Sequence, residues 1–260
     1  MKTHPSATAL DQRSPHNYRT TARIIGVIYL AGMAIGIPGN IVIQSTLTAP
    51  GGLATIAASS MLIAVGVVCW LATVAGDAAH GVLMFPVLKR HSERSAVGYL
   101  VARIMDATFI AVMALLIIIQ IPIGAAYVNA GTADTSYLQA LSTVLTSGNL
   151  YAYEFAMTTL GVAGLILCAA LLRSNLIPRP LAIWGLVGYA VILVGSVLQI
   201  LGFNLNSIQA VPGGLWEVFI GVWLIIKGFN TPIVPLAPVQ SSATVTTPAT
   251  SVPTMASSTS

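Results

Sequence analysis

Six stretches of this chain, residues 24–44, 61–88, 97–121, 149–172, 181–203 and 208–229, each run past twenty residues with at most two charged side chains. A helix needs about 20 apolar residues to cross a hydrocarbon core of ~30 Å. Inside that core only a helix or a closed barrel satisfies its own backbone hydrogen bonds. The sequence therefore predicts an all-α, polytopic transmembrane bundle of six spans. Composition points the same way, because only 7% of residues are charged and 56% are hydrophobic. Soluble domains carry charge on about a quarter of their residues, so lipid has to cover most of this surface.

The loops set the expected orientation. Lys2, Arg13, Arg19 and Arg23 precede the first span, and 45–60 carries no charge. Lys89, Arg90 and Arg94 follow the second span, and Asp134 alone lies between the third and fourth. Arg173 and Arg179 follow the fourth span, none lies between the fifth and sixth, and Lys227 closes the sixth. Cytoplasmic loops collect Lys and Arg, so the alternation predicts both termini in the cytoplasm of a multi-pass plasma-membrane protein. The same alternation explains the net charge of +4 as topology; the lipid bilayer, and no nucleic acid, is the expected partner. The first run is too long for the apolar core of a signal peptide and follows a polar head, so it reads as a retained span. Residues 1–22 read as a disordered basic head, 23–230 as the transmembrane domain, and 231–260 as a disordered Pro/Ser/Thr-rich tail.

Several local features carry expectations. Pro38-Gly39-Asn40 should bend or end the first helix early, since proline lacks a donor and clashes with the preceding turn. Asp134 or Thr135 can cap a short helix on the outer surface whose Tyr137, Leu138, Leu141, Val144 and Leu145 share a face, a plain loop being the alternative. Cys69 and Cys168 fall at different depths and read as inert packing residues, not a disulfide. Gly32-x-x-x-Gly36 and the Gly161/Gly164 pair read as ordinary helix packing in preference to a dimerisation face, so nothing argues for an oligomer. The two halves show no convincing inverted repeat of the transporter kind.

Motifs of soluble enzymes are absent: no H-E-x-x-H, G-x-S-x-G, Walker A, G-x-G-x-x-G or C-x-x-C. No cofactor is implied and no catalytic residue stands out. What remains is a set of ionisable residues within apolar helices, each costing ~2.5–3.5 kcal/mol or more near the bilayer centre if left unpaired. Counting inward from the basic loops at ~1.5 Å per residue puts Asp77 and Asp106 about 18 Å deep. By the same count His80 and Arg103 lie about 13 Å deep and Glu217 about 15 Å. Asp77/His80 and Arg103/Asp106 are i,i+3 pairs, so each shares a helix face. If the second and third spans are antiparallel neighbours, the two pairs can meet. Three carboxylates then face one certain cation, and at least one is expected to hold a proton. Lone His80 has no second His or Cys at ligand spacing, so no metal site is expected.

Two readings follow. The layer is either the working part of a small-solute or proton-coupled translocator, or a polar knot that fixes helix register in a scaffold or accessory subunit. An intramembrane enzyme would need a nucleophile or a metal set, and neither is visible. Glu154, flanked by Tyr151 and Tyr153, falls about 28 Å from the basic face at ~1.5 Å per residue. It reads as an interfacial carboxylate or as the outer entrance of a solute path. Trp184 and Trp223 read as inner-interface anchors.

Four segments also carry a resemblance. They are Thr21-Ala22-Arg23-Ile24-Ile25-Gly26-Val27-Ile28-Tyr29-Leu30, Ala102-Arg103-Ile104-Met105-Asp106-Ala107, the stretch from Leu172 through Pro178-Arg179 to Gly188, and Trp216-Glu217 with Val222-Trp223-Leu224-Ile225-Ile226-Lys227-Gly228-Phe229. Together they resemble the bacterial multi-pass membrane proteins grouped as domain-of-unknown-function family 4386, over roughly residues 20–230. The resemblance implies an integral membrane protein without an assigned activity. Arg103 and Asp106 match its third-span pattern of an arginine with an acidic or polar residue three later, and Glu217 matches the glutamate before its closing segment. His80 departs from that pattern.

Overall fold

The computed structural model describes residues 16–131, 134–205 and 207–230. Among them are eight helices and no strand: α1 (His16–Leu47), α2 (Leu53–Ala58), α3 (Ser60–Lys89), α4 (Glu93–Ile118), α5 (Gln120–Asn129), α6 (Ser136–Ser174), α7 (Arg179–Ile200) and α8 (Ala210–Ile226). Five spans are long and apolar enough to cross a membrane: α1 from Arg19, α3, α4 continued by α5, α6 and α7. The sixth, α8, is apolar but has 17 residues, enough for about 26 Å at ~1.5 Å per residue. The fold is a helical transmembrane bundle.

Each long helix packs on its neighbours in sequence, α1 on α3, α3 on α4, α4 on α6, α6 on α7 and α7 on α8, and α8 returns to α1. Six helices thus close into a ring. Glycines make the tight crossings. A Cβ on Gly26 of α1 would come 2.5 Å from the Gly221 carbonyl of α8, and one on Gly164 of α6 would enter the Tyr189 ring of α7. A Cβ on Gly228 would lie 3.9 Å from both Ala22 and Arg19, so the two ends of the described chain share one face of the bundle. The α6–α7 turn shares it too, because the Asn230 backbone amide donates to the Leu176 carbonyl at 2.8 Å.

Several boundaries differ from expectation. Residues 16–22, assigned to the disordered head, are helical: no Pro or Gly lies between Pro15 and Gly26, and Ala22 and Ile25 are fully buried. The rest of the head and the whole 231–260 tail lie outside the described residues. Pro38 does not end α1, which continues to Leu47. Gly39 is clamped against α3 there, its missing Cβ only 2.9 Å from Cys69 Cβ; packing on a neighbour lets a membrane helix tolerate proline. The loop at 45–60 contains α2, which packs on α5. Pro122 interrupts the third span at Ile119, but the chain resumes as α5.

The segment 135–145 is neither a separate surface helix nor a loop; it forms the first turns of the 39-residue α6. Leu138 is buried, whereas Tyr137, Leu141 and Val144 are exposed. Gln120 of α5 ties this extension down, accepting from Ser142 Oγ at 2.7 Å and donating to Thr146 Oγ1 at 3.1 Å. Asp134 makes a smaller contribution: its Oδ1 accepts from the Ser136 amide at 2.9 Å. At the other end α6 stops at Asn175, whose φ of 52° is left-handed, and Pro178 follows. Both cysteines are free thiols.

Two apolar cores fill the ring. One, toward the chain ends, draws residues from all six long helices, among them Ile25, Met84, Tyr99, Leu167, Tyr189 and Trp216. The other is built from α1 to α6, with Ile43, Ile56, Trp70, Ile110, Ile123 and Ala156, and takes nothing from α7 or α8. Between the two cores lies a polar layer.

Candidate functional site

The α3–α4 hairpin sets the register of that layer. Ser92 caps α4, its Oγ accepting from the Ser95 amide at 3.2 Å, and the short turn makes the two helices antiparallel neighbours. Gly81 then leaves room for the stem of Arg103, since a Cβ there would lie 3.2 Å from Arg103 Cβ. The Arg103 guanidinium donates from Nη2 to Asp77 Oδ1 across the helix pair. From Nη1 it donates to Asp106 Oδ2 at 2.8 Å, one turn along its own helix. Arg103 and Asp106 are buried, while the Asp77 side chain keeps 22% of its surface open.

His80 faces a different partner. Its Nδ1 lies 2.5 Å from the Tyr99 hydroxyl of α4, and its ring stands edge-on to Tyr29 of α1 with centroids 4.5 Å apart. Glu217 enters from α8, and its Oε1 accepts from the Tyr189 hydroxyl of α7 at 2.8 Å. Beneath these groups Trp216 is fully buried. Its Nε1 donates to the Leu181 carbonyl at 2.7 Å, and its ring meets Tyr29 and Tyr189 edge-on. A buried indole or hydroxyl needs a hydrogen-bond partner, and Trp216, Tyr99 and Tyr189 each have one.

Asp77, His80, Arg103, Asp106 and Glu217 all line one cavity of ≈ 180 Å³. Its walls come from α1, α3, α4, α6 and α8, whereas α7 acts only through Tyr189. The wall on α1 includes Gly32 and Gly36. These glycines were expected to pack helices. A Cβ on Gly36 would indeed meet Thr73 Oγ1 of α3 at 3.4 Å, an ordinary packing contact, but one on Gly32 would find no neighbour within 4 Å, so its missing side chain opens onto the void. Gly161 and Gly164, by contrast, do pack α6 on α7.

Glu154 belongs elsewhere. It is 8% exposed and lines a second cavity of ≈ 440 Å³ between α6 and the α7–α8 loop, with Tyr151, Tyr153, Gln199 and Phe203. Its Oε1 accepts from Gln199 Nε2 at 2.5 Å, and its Oε2 is buried without a partner. One turn along α6, on the same helix face, Met157 walls the charged cavity. Trp184 packs on Phe219 with centroids 5.0 Å apart. Among the described residues no three His, Cys, Asp or Glu side chains gather as metal ligands.

Sequence reasoning passed over Tyr29, Tyr99, Tyr189 and Trp216. A signal for one of them was present. Tyr99 falls four residues before Arg103, on the same helix face. Tyr189 carries no such sign, because only the closure of α7 on α8 brings it to Glu217.

Fold and site together define a polytopic helical membrane protein built around a buried, charged cavity. Residues 24–228 match the family described as "Domain of unknown function (DUF4386)", and the chain belongs to that family. No curated protein and no solved structure matches it significantly.

Proposed function

We propose that the protein is a small translocator of the plasma membrane, with the basic face of the bundle and both termini in the cytoplasm, and that its cargo, a proton or a small solute, occupies the charged cavity. The observation that carries this reading is the void itself. Asp77, Arg103, Asp106 and Glu217 converge on open space inside a ring of helices. A purely structural polar knot gains most when its members fill one another's hydrogen bonds and exclude space. Here three carboxylates line one space with a single guanidinium, which is bonded to two of them, an imbalance that a bound cation or a transferred proton reduces. Glu154, beside its own cavity one turn away along α6, would serve as the outer entrance.

A structural reading has one observation in its favour: both terminal nitrogens of Arg103 are held by carboxylates. In that case the layer fixes helix register in a scaffold or accessory subunit. Vesicles loaded with a pH dye separate the two. The translocator reading expects proton flux, with or without a co-solute, that falls at least tenfold in Asp106→Asn and Glu217→Gln while thermal stability is kept. Absence of flux under every gradient, with both variants strongly destabilised, would establish the structural reading.

A further inference from the structure

We infer that one corner of the basic face, where the start of α1, the α6–α7 turn and the end of α8 meet, docks the headgroup of an anionic phospholipid. The corner is fastened by neutral ties. Gly228, at a φ of 77°, turns the chain out of α8 beside Arg19, whose Cγ lies 3.9 Å from its missing Cβ. Two residues on, Asn230 donates its backbone amide to the Leu176 carbonyl at 2.8 Å and its side-chain amide to the Asn175 carbonyl at 3.1 Å. Arg179 is bound to the same turn, its Nε donating to Asn175 Oδ1 at 3.3 Å. Arg173 stands in the last turn of α6, and Lys227 follows the last residue of α8. Four exposed cations, Arg19, Arg173, Arg179 and Lys227, therefore gather at one corner. Amides hold the corner together where carboxylates would have neutralised it. Among the described residues none of the four makes an ion pair, and the acidic side chain of this face, Glu93, bridges Lys89 on the α3–α4 turn.

Depth is the second, independent observation. Trp184 lies five residues into α7 from Arg179, and Trp223 lies four residues before Lys227. At ~1.5 Å per residue both indoles sit about 6–8 Å inward of the cations. Tryptophan collects at the boundary between headgroups and hydrocarbon, so the cations stand at the level of the lipid phosphates. Below them Trp184 of α7 packs on Phe219 of α8, with centroids 5.0 Å apart. Exposed Ile183, Val187, Phe219 and Ile226 continue that apolar surface, a seat for the acyl chains that a soluble phosphate lacks. Guanidinium groups grip phosphate oxygens in pairs, and clusters of Lys and Arg beside a span attract anionic lipids. A zwitterionic headgroup brings its own cation and gains less. The inference stands apart from the translocator reading, which concerns the charged cavity.

The test is reconstitution of the full-length protein in vesicles that mix phosphatidylglycerol and phosphatidylcholine of equal chain length, one of the two brominated on its chains to quench tryptophan. Phosphatidylglycerol should show an advantage of about fivefold or more over phosphatidylcholine. Arg179→Gln with Lys227→Gln should reduce it to about twofold or less. Lys89→Gln with Arg94→Gln, which removes the same charge from the α3–α4 turn, should leave it nearly intact. If the first pair does not fold, Arg173→Gln with Lys227→Gln takes its place. Equal association of the two lipids, or equal loss in the two double variants, overturns the inference. So does loss of the advantage on adding inorganic phosphate at an ionic strength matched with chloride, which would make the corner a site for soluble phosphate. Lipid preference without proton flux leaves the inference standing and removes the translocator reading. Flux without the preference does the reverse.

Discussion

The two ends of this bundle are built differently. Toward the chain termini all six long helices share one core, and α1 crosses α8 through Gly26 and Gly221 with no room for a methyl group. Toward the other end the core belongs to α1–α6 alone. There α7 and α8 leave a cavity beside Glu154, and α1 passes α8 with only Met33 Cε near Gly214, 3.8 Å from its missing Cβ. The charged layer lies at the change from one packing to the other. The cavity is thus bordered on one side by a core that all six long helices share and on the other by a core that α7 and α8 do not join. Local stability tracks buried apolar contact, so the terminal end should be the rigid one.

That contrast can be broken in several ways. The largest effect is expected from Arg103→Met, which strands Asp77 and Asp106 without a cation where the two ends join. Removing one partner of a buried ion pair costs about 3–5 kcal/mol, measurable as a large loss of unfolding free energy in SDS titration. Next comes a matched pair of substitutions on α1. Gly26→Ala should cost about 1–3 kcal/mol, because the crossing at Gly221 has no space. Gly32→Ala should cost nothing and gain up to about 1 kcal/mol of helix propensity. Equal effects at the two sites would erase the proposed difference between the ends.

Glu154→Gln tests the looser end. The amide keeps an oxygen for Gln199, so unfolding free energy should change by less than about 1 kcal/mol, while flux in vesicles falls if Glu154 is an entrance. The smallest effect belongs to Asp134, at the start of α6. The Ser136 backbone amide holds its carboxyl below the usual carboxylate pKa. A depressed pKa contributes stability above the unfolded value that is lost as pH falls through the folded value. Amide exchange in the first turn of α6 should therefore quicken at acid pH in wild type, and Asp134→Ala should show the fast rate already at neutral pH.

Much of this architecture was legible in the sequence, because lipid leaves few alternatives: six apolar runs and their basic loops give the spans directly. The i,i+3 spacing within α3 and α4 put Asp77, His80, Arg103 and Asp106 on facing surfaces, and the structure places all four, with Glu217, around one cavity. What the sequence hid depends on helix-to-helix placement. Whether a glycine packs or opens a void is decided by its neighbour: Gly164 meets Tyr189, and Gly32 meets nothing. The Tyr189–Glu217 contact spans 28 residues and two helices, and no local periodicity announces it. The extension of α6 to Ser136 was missed because an amphipathic segment beside a membrane looks the same whether it lies flat or continues a span.

The central claim is that water reaches the charged layer from inside the ring of helices. Reaction of a charged, membrane-impermeant thiosulfonate with Gly32→Cys and Ala34→Cys, each with Cys69→Ser and the buried Cys168 retained, tests it directly. Gly32 lines the cavity, while Ala34 is exposed about 200° away around the same helix at ~100° per residue. The account predicts rapid modification at position 32 and none at 34. Inertness at position 32, or equal reaction at both, would contradict it.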